Sequence, residues 1–530
     1  MSETSAHNVA DLLTRAGAEH ADQPALITDD SVSTWADVDA AASRFAAALQ
    51  DRGLKEGQRV VLVLPTSVEF VTTYLGVLRA GGVAIPLNTG YTAGEMARLI
   101  GRTKAFAVVA GESVLTPVRQ AVAGVADALA DAPEELAGRA VPVLVVVGTA
   151  APGEVAYAEL SSFDGAPAAT QRGGEDIAVM LFTSGSSADP RAALLSHRSL
   201  VSNLDQLMSL EPAPIRSDDV LLGILPLFHV YGLNTVLGQA LATGAAVVVD
   251  DRFDPVETLA TIVRHGVTIV PVAPPMLVAW TEVADLAASL AGVRYIVSGA
   301  APLAVSVLED ITTRTGVTIH QGYGLTEAAP VVTTTLAADT PKPGSVGVPV
   351  PGTQIMLVDE DGHPVDEGDP GEVVVRGPNL FSGYWPGDVE GPDTDGWWRT
   401  GDVAYADHEG DLFLVDRIKD LVIVNGFNVY PREVEEVLLQ HPDIAQAAVV
   451  SVPDRRTGEA VKAVVVAEEG AVLSADDVHA HCRERLARFK RPSVVEVADQ
   501  LPRTPTGKIA KGRLRDQASR EADKKRAGLA

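Results

Sequence analysis

The chain has 530 residues, 46% of them apolar, with a formal charge of −28 at neutral pH and an isoelectric point near 4.7. That length can bury several cores, so one large lobe with a smaller one is expected rather than a single compact unit. The surplus of carboxylates opposes a phosphate backbone and argues against general nucleic-acid binding, while the single cysteine, Cys482, excludes an intrachain disulfide or a cysteine-based metal cluster and fits a reducing compartment.

The first residues, Met-Ser-Glu-Thr-Ser-Ala-His-Asn, have no basic stretch leading into an apolar core, so no secretory signal is expected and the cytoplasm is the default location. Short apolar runs then alternate with helix-period stretches. Examples are 59–64 ahead of a helix over 67–80, 105–110, 246–249, 268–272 and 295–298. Runs of this length separated by amphipathic segments favour parallel sheets covered by helices on both faces, an α/β architecture. No Asp, Glu, Lys or Arg occurs from Val220 to Val249, but Pro226, His229, Asn234 and Gln239 interrupt the stretch. It therefore reads as buried strand, loop, helix and strand, not as a membrane span.

Past residue 340 the texture changes to strands and turns at 354–358, 371–376 and 411–415, which predicts a β-rich subdomain over 340–415 within a large domain of residues 1–415. The charged run 416–420 marks a boundary. Beyond it, 421–530 reads as a small α+β domain, with Pro431 and Glu433 in a first helical turn, strands near 447–452 and 461–467, and a helix near 474–488. The tail over 511–530 is expected to fray or to form an exposed helix.

Four segments carry chemistry. In Leu181-Phe-Thr-Ser-Gly-Ser-Ser-Ala-Asp-Pro-Arg191 an apolar run enters a loop in which Thr183, Ser184, Ser186 and Ser187 offer hydroxyls beside amides freed by Gly185, suited to polyphosphate oxygens; alone, it is also an ordinary Ser/Gly turn. Ser298-Gly299-Ala300-Ala301-Pro302 precedes Gln321-Gly322-Tyr323-Gly324-Leu-Thr326-Glu327. There the glycines would let backbone approach a planar ligand, Tyr323 would stack, and Glu327 could hold Mg²⁺, although a tyrosine like Tyr323 taken alone is more often core. In Trp397-Trp-Arg-Thr-Gly-Asp402 the carboxylate past a glycine turn could accept from ribose hydroxyls. Thr-Pro-Thr-Gly-Lys508 near the end of the chain offers a cation on a loop that domain movement could carry to a transferring phosphate.

Tyr-Gly-Leu-Thr-Glu, Arg-Thr-Gly-Asp, Asp-Arg-x-Lys-Asp and Pro-Thr-Gly-Lys in this order make the chain, over residues 8–516, resemble the adenylate-forming superfamily of acyl-CoA synthetases, peptide-synthetase adenylation domains and beetle luciferases. The resemblance implies an enzyme that uses ATP, Mg²⁺ and CoA, with Gly299, Ala300, Ala301 and Gly322–Gly324 along the nucleotide and Tyr323 near adenine. It also implies that Thr326 and Glu327 engage phosphate and metal, that Asp402 and Arg417 hold ribose, and that Lys508 bridges carboxylate and α-phosphate. Lys419 falls at the family's hinge position within 416–420, which would make the C-terminal domain mobile, and Gly426, Phe427 and Asn428 would line a thiol tunnel.

Leu225-Pro-Leu-Phe-His229-Val-Tyr-Gly-Leu233 resembles the acyl-CoA synthetase version of its segment, with His229 beside the acyl pocket; a core histidine is the other reading of that residue. With Val230, Leu233, Ala300 and Ala301 nearby, the implied substrate is a carboxylic acid, aliphatic in the first reading, and CoA phosphates could meet Arg483, Arg485, Arg488, Lys490 and Arg491 or find there only a solvated face. The phosphate loop departs from the family at Ala188, Arg191 and Ala192, where glycine, lysine and glycine are usual, so slower or differently gated adenylation is expected. Two alternatives stand beside acid–CoA ligation: an acyl-AMP ligase loading an acyl carrier protein, and a catalytically weakened adenylate-binding relative. The sequence leaves the chain length of the acid and the oligomeric state open.

Overall fold

A computed structural model describes residues 8–130, 141–183, 191–338, 340–386, 390–417, 420–424, 427–454, 457–503 and 508–526. By contacts among its own residues the chain falls into two compact units, Met1–Gln354 with Val375–Trp398, and Ile355–Val374 with Arg399–Ala530. The β-rich segment anticipated over 340–415 is thus shared between them.

The first unit is built on two large sheets. One runs in the order Val348–Pro349, Val331–Thr334, Thr318–Gly324, Tyr295–Ser298, Ile269–Val272, Val220–Gly223, Ala246–Val249, Pro24–Ile27, Val32–Thr34, with a parallel centre and antiparallel edges. The other runs Tyr384–Trp385, Arg191–Ser196, Ile177–Thr183, Val83–Pro86, Arg59–Val63, Ala107–Ala110, Val143–Val146, Val155–Ala156. Central strands such as Arg59–Val63 and Ala246–Val249 are buried nearly throughout, as continuous Val/Leu/Ala runs between helix layers must be. Local chemistry sets the helix starts. Thr34 and Asp37 form a reciprocal capping box for Trp35–Asp51, Thr92 and Glu95 do so for Ala93–Thr103, and Asp254 caps Pro255–His265 with its carboxylate. Between Val220 and Val249 the chain is strand, π-helical turn Tyr231–Gly238, short helix Gln239–Thr243 and strand. Among the described residues no helix is long and apolar enough to cross a membrane.

A four-stranded sheet follows the order Gln354–Val358, Gly371–Arg376, Trp397–Ala406, Leu412–Arg417. The last two strands pair antiparallel, and a bulge between Val403 and Ala404 shifts the register so that Asp402 lies opposite Arg417 and Val403 opposite Asp416, with Val415 left over. Beyond it, strands Ile444–Asp454 and Gly458–Ala467 pair along their length and carry helices Pro431–Leu438 and Ala475–Arg485, the second with a Ser474/Asp477 capping box.

The tail corrects an expectation. Lys511–Arg526 is a helix, but it is not an exposed one at its start: Leu514 and Ala518 are buried, Leu514 packing with Ala448, Val450, Val464 and Leu501. Lys511 pairs with Glu435 at 2.8 Å and Arg515 with Asp420 at 2.6 Å, so the charges that made the tail look solvated are partly spent on the fold. A count of Lys, Arg and Asp hid a one-residue-per-turn apolar stripe.

Candidate active site

In the first unit Thr183 and Arg191, the described ends of the candidate phosphate loop, sit at the mouth of a hairpin. Strand Ile177–Thr183 pairs antiparallel with Arg191–Ser196, and its last pair is Thr183 with Arg191, so the two ends of the loop face each other. Ser184, Gly185, Ser186, Ser187 and Ala188 lie outside the described residues. Ala192 is buried and pairs with Trp385 of the edge strand. Arg191 forms an ion pair with Glu390, and its Cζ lies 5.9 Å from the centre of the Tyr384 ring.

The strand Tyr295–Ser298 ends at the Gly299-Ala300-Ala301 turn. Ala300 has φ of +70°, a conformation that costs a non-glycine residue about 1 kcal/mol or more and that concentrates at ligand sites. Ser298, immediately before it, has a buried hydroxyl with no hydrogen-bond partner among the described residues. A Cβ on Gly299 would lie 3.1 Å from the Tyr231 ring, so glycine there lets the turn close on the aromatic.

The glycines around Tyr323 have an internal reason that the sequence reading missed. A Cβ on Gly324 would fall 2.2 Å from the Pro330 carbonyl oxygen, and one on Gly322 would fall 3.0 Å from that of Thr333. The hairpin Thr318–Gly324 with Val331–Thr334 requires them for its own closure, whatever ligand comes near. Tyr323 is itself buried, at 6% exposure. Thr326 and Glu327 occupy the short 3₁₀ turn Thr326–Ala328, where the Glu327 carbonyl accepts from the Phe381 amide at 2.8 Å and its Oε1 accepts from the Tyr384 hydroxyl. Burial first, and then the Glu327 charge, push the Tyr384 hydroxyl well above its ordinary range, so it remains a proton donor. Carboxylate and hydroxyl oxygens side by side in Glu327 and Thr326 are the hard donors that Mg²⁺ takes, so these residues fit the ion.

His229 is placed by its own loop. Its amide donates to Pro226 at 3.0 Å, and its Nδ1 accepts from the Tyr231 amide at 3.2 Å, which assigns the proton of the neutral ring to Nε2. The buried Thr66, absent from the sequence reading, pins the same loop: its Oγ1 accepts from the Leu227 amide at 3.2 Å and donates to the Leu225 carbonyl at 3.4 Å. Val230 and Leu233 are buried in the main core. The structure thus brings His229, Tyr231 and the Gly299 turn together, because the Tyr231 hydroxyl donates to the Val297 carbonyl at 3.0 Å.

In the second unit Asp402 is buried, its amide donates to Thr400 Oγ1 at 3.1 Å, and it stands opposite Arg417 in the ladder. The turn before it is held by Glu372, which takes the Arg399 guanidinium and, at 3.2 Å, the Gly401 amide. Phe427 and Asn428 form part of strand Phe427–Val429, while Lys419 and Gly426 lie outside the described residues. Lys508 is exposed, one residue before Ile509, which bridges back to Arg503. In the basic cluster, Lys490 pairs with Glu433 at 2.7 Å and Arg491 donates to the Leu486 carbonyl at 2.9 Å. Arg485 also donates to the His481 carbonyl at 3.2 Å, so three of the five cations have described partners in the fold.

The profile of AMP-binding enzymes matches residues 13–385, and that of the AMP-binding enzyme C-terminal domain matches 433–508. The chain belongs to this family. It is 34% identical over 515 residues to 4-coumarate–CoA ligase 5 of Oryza sativa subsp. japonica, covering 94% of this chain and 92% of that one. To the long-chain-fatty-acid–CoA ligase of Bacillus subtilis (strain 168) it is 32% identical, covering 96% and 94%. Its fold matches ATP-bound MatB from Rhodopseudomonas palustris with a TM-score of 0.85 at 32% identity, covering 96% and 99%. It is an enzyme of the AMP-forming acid–thiol ligase class in the adenylate-forming superfamily, and ATP and CoA are the co-substrates that class uses.

Proposed function

We propose that this protein activates a carboxylic acid with an apolar body, aliphatic in the first instance, and passes it to CoA. An oxygen of the acid attacks the α-phosphorus of ATP as the bond to the bridging oxygen breaks, giving acyl-AMP and pyrophosphate. The CoA thiolate then forms the S–C bond while the acyl C–O bond to phosphate breaks and AMP departs. Mg²⁺, when bound, would neutralise charge on the phosphate oxygens. Thr183 and Arg191 would flank those oxygens, and Glu327 with Thr326 would hold the ion. Tyr323 and the 299–301 turn would line the nucleotide, Asp402 and Arg417 the ribose, and His229 the acyl end. Lys508 would bridge the acid and the α-phosphate, Lys419 would be the swivel within 416–420 of a mobile C-terminal domain, and Gly426, Phe427 and Asn428 would border the thiol path.

The observation that carries this reading is that the matched C-terminal module ends on Lys508, while the separately matched N-terminal module holds the Tyr323–Glu327 turn. Supplying ATP, CoA and a panel of saturated fatty acids, coumarate and benzoate, while following AMP release and CoA consumption, tests it. CoA-dependent AMP release with fatty acids as the best substrates is the expected result. A preference for coumarate would establish the second reading, an aromatic acid, which the 34% identity to a 4-coumarate–CoA ligase favours. Adenylate formation without CoA consumption would point to a carrier-protein acceptor instead, and no AMP with any acid would overturn the proposal.

A further inference from the structure

Residues 381–385 thread between the two pieces of the first unit that the proposed reaction needs. On one side Ser382 donates to the Leu194 carbonyl, and the Leu194 amide donates to Gly383, both at 2.9 Å, which ties the segment to the strand beginning at Arg191. On the other side the Phe381 amide holds the Glu327 carbonyl and the Tyr384 hydroxyl holds Glu327 Oε1. The Tyr384 ring meets Phe381 edge-on at 5.0 Å and Trp398 at 6.0 Å, so it is fixed by packing on its own side. Its amide donates at 3.1 Å to the carbonyl of Glu390, the residue whose carboxylate pairs with Arg191.

We propose that Tyr384 is a positioning residue: its hydroxyl fixes Oε1 of Glu327 so that the other carboxylate oxygen is presented to the divalent cation accompanying ATP, and its ring seats Arg191 at the exit of the phosphate loop. The arginine that replaces the family's lysine and the metal-binding carboxylate are thereby mounted on one side chain. This rests on the reading of Glu327 as the cation ligand. A planar guanidinium can lie against a ring in a way that a compact ammonium on a flexible stem does not match, so Tyr384 and Arg191 suit each other.

The test uses the full-length protein with Mn²⁺ and α,β-methylene-ATP, reading bound Mn²⁺ by electron paramagnetic resonance. Tyr384→Phe keeps the ring and its packing and removes only the hydroxyl. It is expected to weaken Mn²⁺ binding about tenfold while leaving metal-free nucleotide affinity, measured in EDTA, within about twofold, the usual cost of losing a partner behind a metal ligand. In ATP–pyrophosphate exchange the Mg²⁺ requirement should rise, with kcat recovered at saturating Mg²⁺. Glu327→Gln is expected to weaken Mn²⁺ at least as much. Wild-type Mn²⁺ binding in Tyr384→Phe, with a loss in Glu327→Gln, would overturn this inference alone. Wild-type binding in both would overturn the role of Glu327 as well, and an equal loss of metal-free nucleotide affinity in Tyr384→Phe would reduce the tyrosine to a structural part.

Discussion

Arg191 and Ala192 stand next to each other where the family pattern has lysine and glycine, yet the structure gives them different work. Arg191 is partly exposed, paired with Glu390 and set against the Tyr384 ring; Ala192 is buried in a strand interior opposite Trp385. The two reversions should therefore separate. Arg191→Lys is expected to change the KM for pyrophosphate in the exchange reaction several-fold and leave the melting temperature in place, because the pair whose geometry it alters is a surface one worth about 1 kcal/mol at most. Ala192→Gly is expected to cost about 1 kcal/mol of stability, read from urea unfolding, and to leave that KM alone. If Ala192→Gly moves the KM instead, the alanine acts on the phosphate loop directly.

At the scale of elements, the N-terminal helix Val9–Glu19 is moored to the helix His197–Met208 through one imidazole. The Val9 amide donates to His197 Nδ1 at 3.2 Å, and the buried Nε2 has no partner among the described residues. Burial first, then the nearby Arg172 charge, pull the His197 ring down to about 4. The unfolded chain takes up a proton near pH 6.5 and the folded one does not until about pH 4. Stability is thus fully present above pH 6.5 and falls as pH drops toward 4, by roughly 3 kcal/mol in all for this group. Urea midpoints across that range should fall in the native protein, and the slope should flatten in His197→Asn; an unchanged slope would locate the dependence elsewhere.

Elements are the most legible level of the sequence, since unbroken apolar runs and a period of about four residues report directly on buried strands and buried helix faces. The parallel strands, the helix over 67–80 and the strand–helix–strand reading of 220–249 all survive as structure. What stayed hidden depends on distance along the chain. Tyr384 and Glu327 are 57 positions apart, Thr66 and Leu225 are 159 apart, and nothing in either local segment announces the other. The buried start of the tail helix is hidden for a related reason, because Leu514 and Ala518 gain their meaning from distant partners, among them Ala448, Val450 and Val452 of strand Ile444–Asp454. The glycines beside Tyr323 were legible as a need for close approach but not as to what approaches.

For the whole molecule, the candidates divide between the two compact units, with the phosphate-loop, Tyr323 and Glu327 segments in one and Asp402, Arg417 and Lys508 in the other. A reaction in two steps can exploit such a division, because a cation carried by one unit need serve only one step. Lys508→Ala should lower acyl-AMP formation by about a hundredfold or more, as loss of a charge-stabilising donor does, while thioester formation from supplied acyl-AMP continues at near the native rate. Single-turnover assays of each half-reaction check this, and equal loss in both would contradict the division.

The surplus residue at Val415 coils the ribbon next to Asp402 and Arg417, the pair proposed to hold ribose. Because the pairs on both sides of the bulge are already made, excising Val415 is expected to leave each strand partner in place and to remove the added coil of the ribbon. The aim of the Asp402 carboxylate would then shift with that coil while the strand pairing stays as it is. A lineage could then retune the proposed contact with the sugar through one codon beside the pair, leaving Asp402 and Arg417 themselves unchanged.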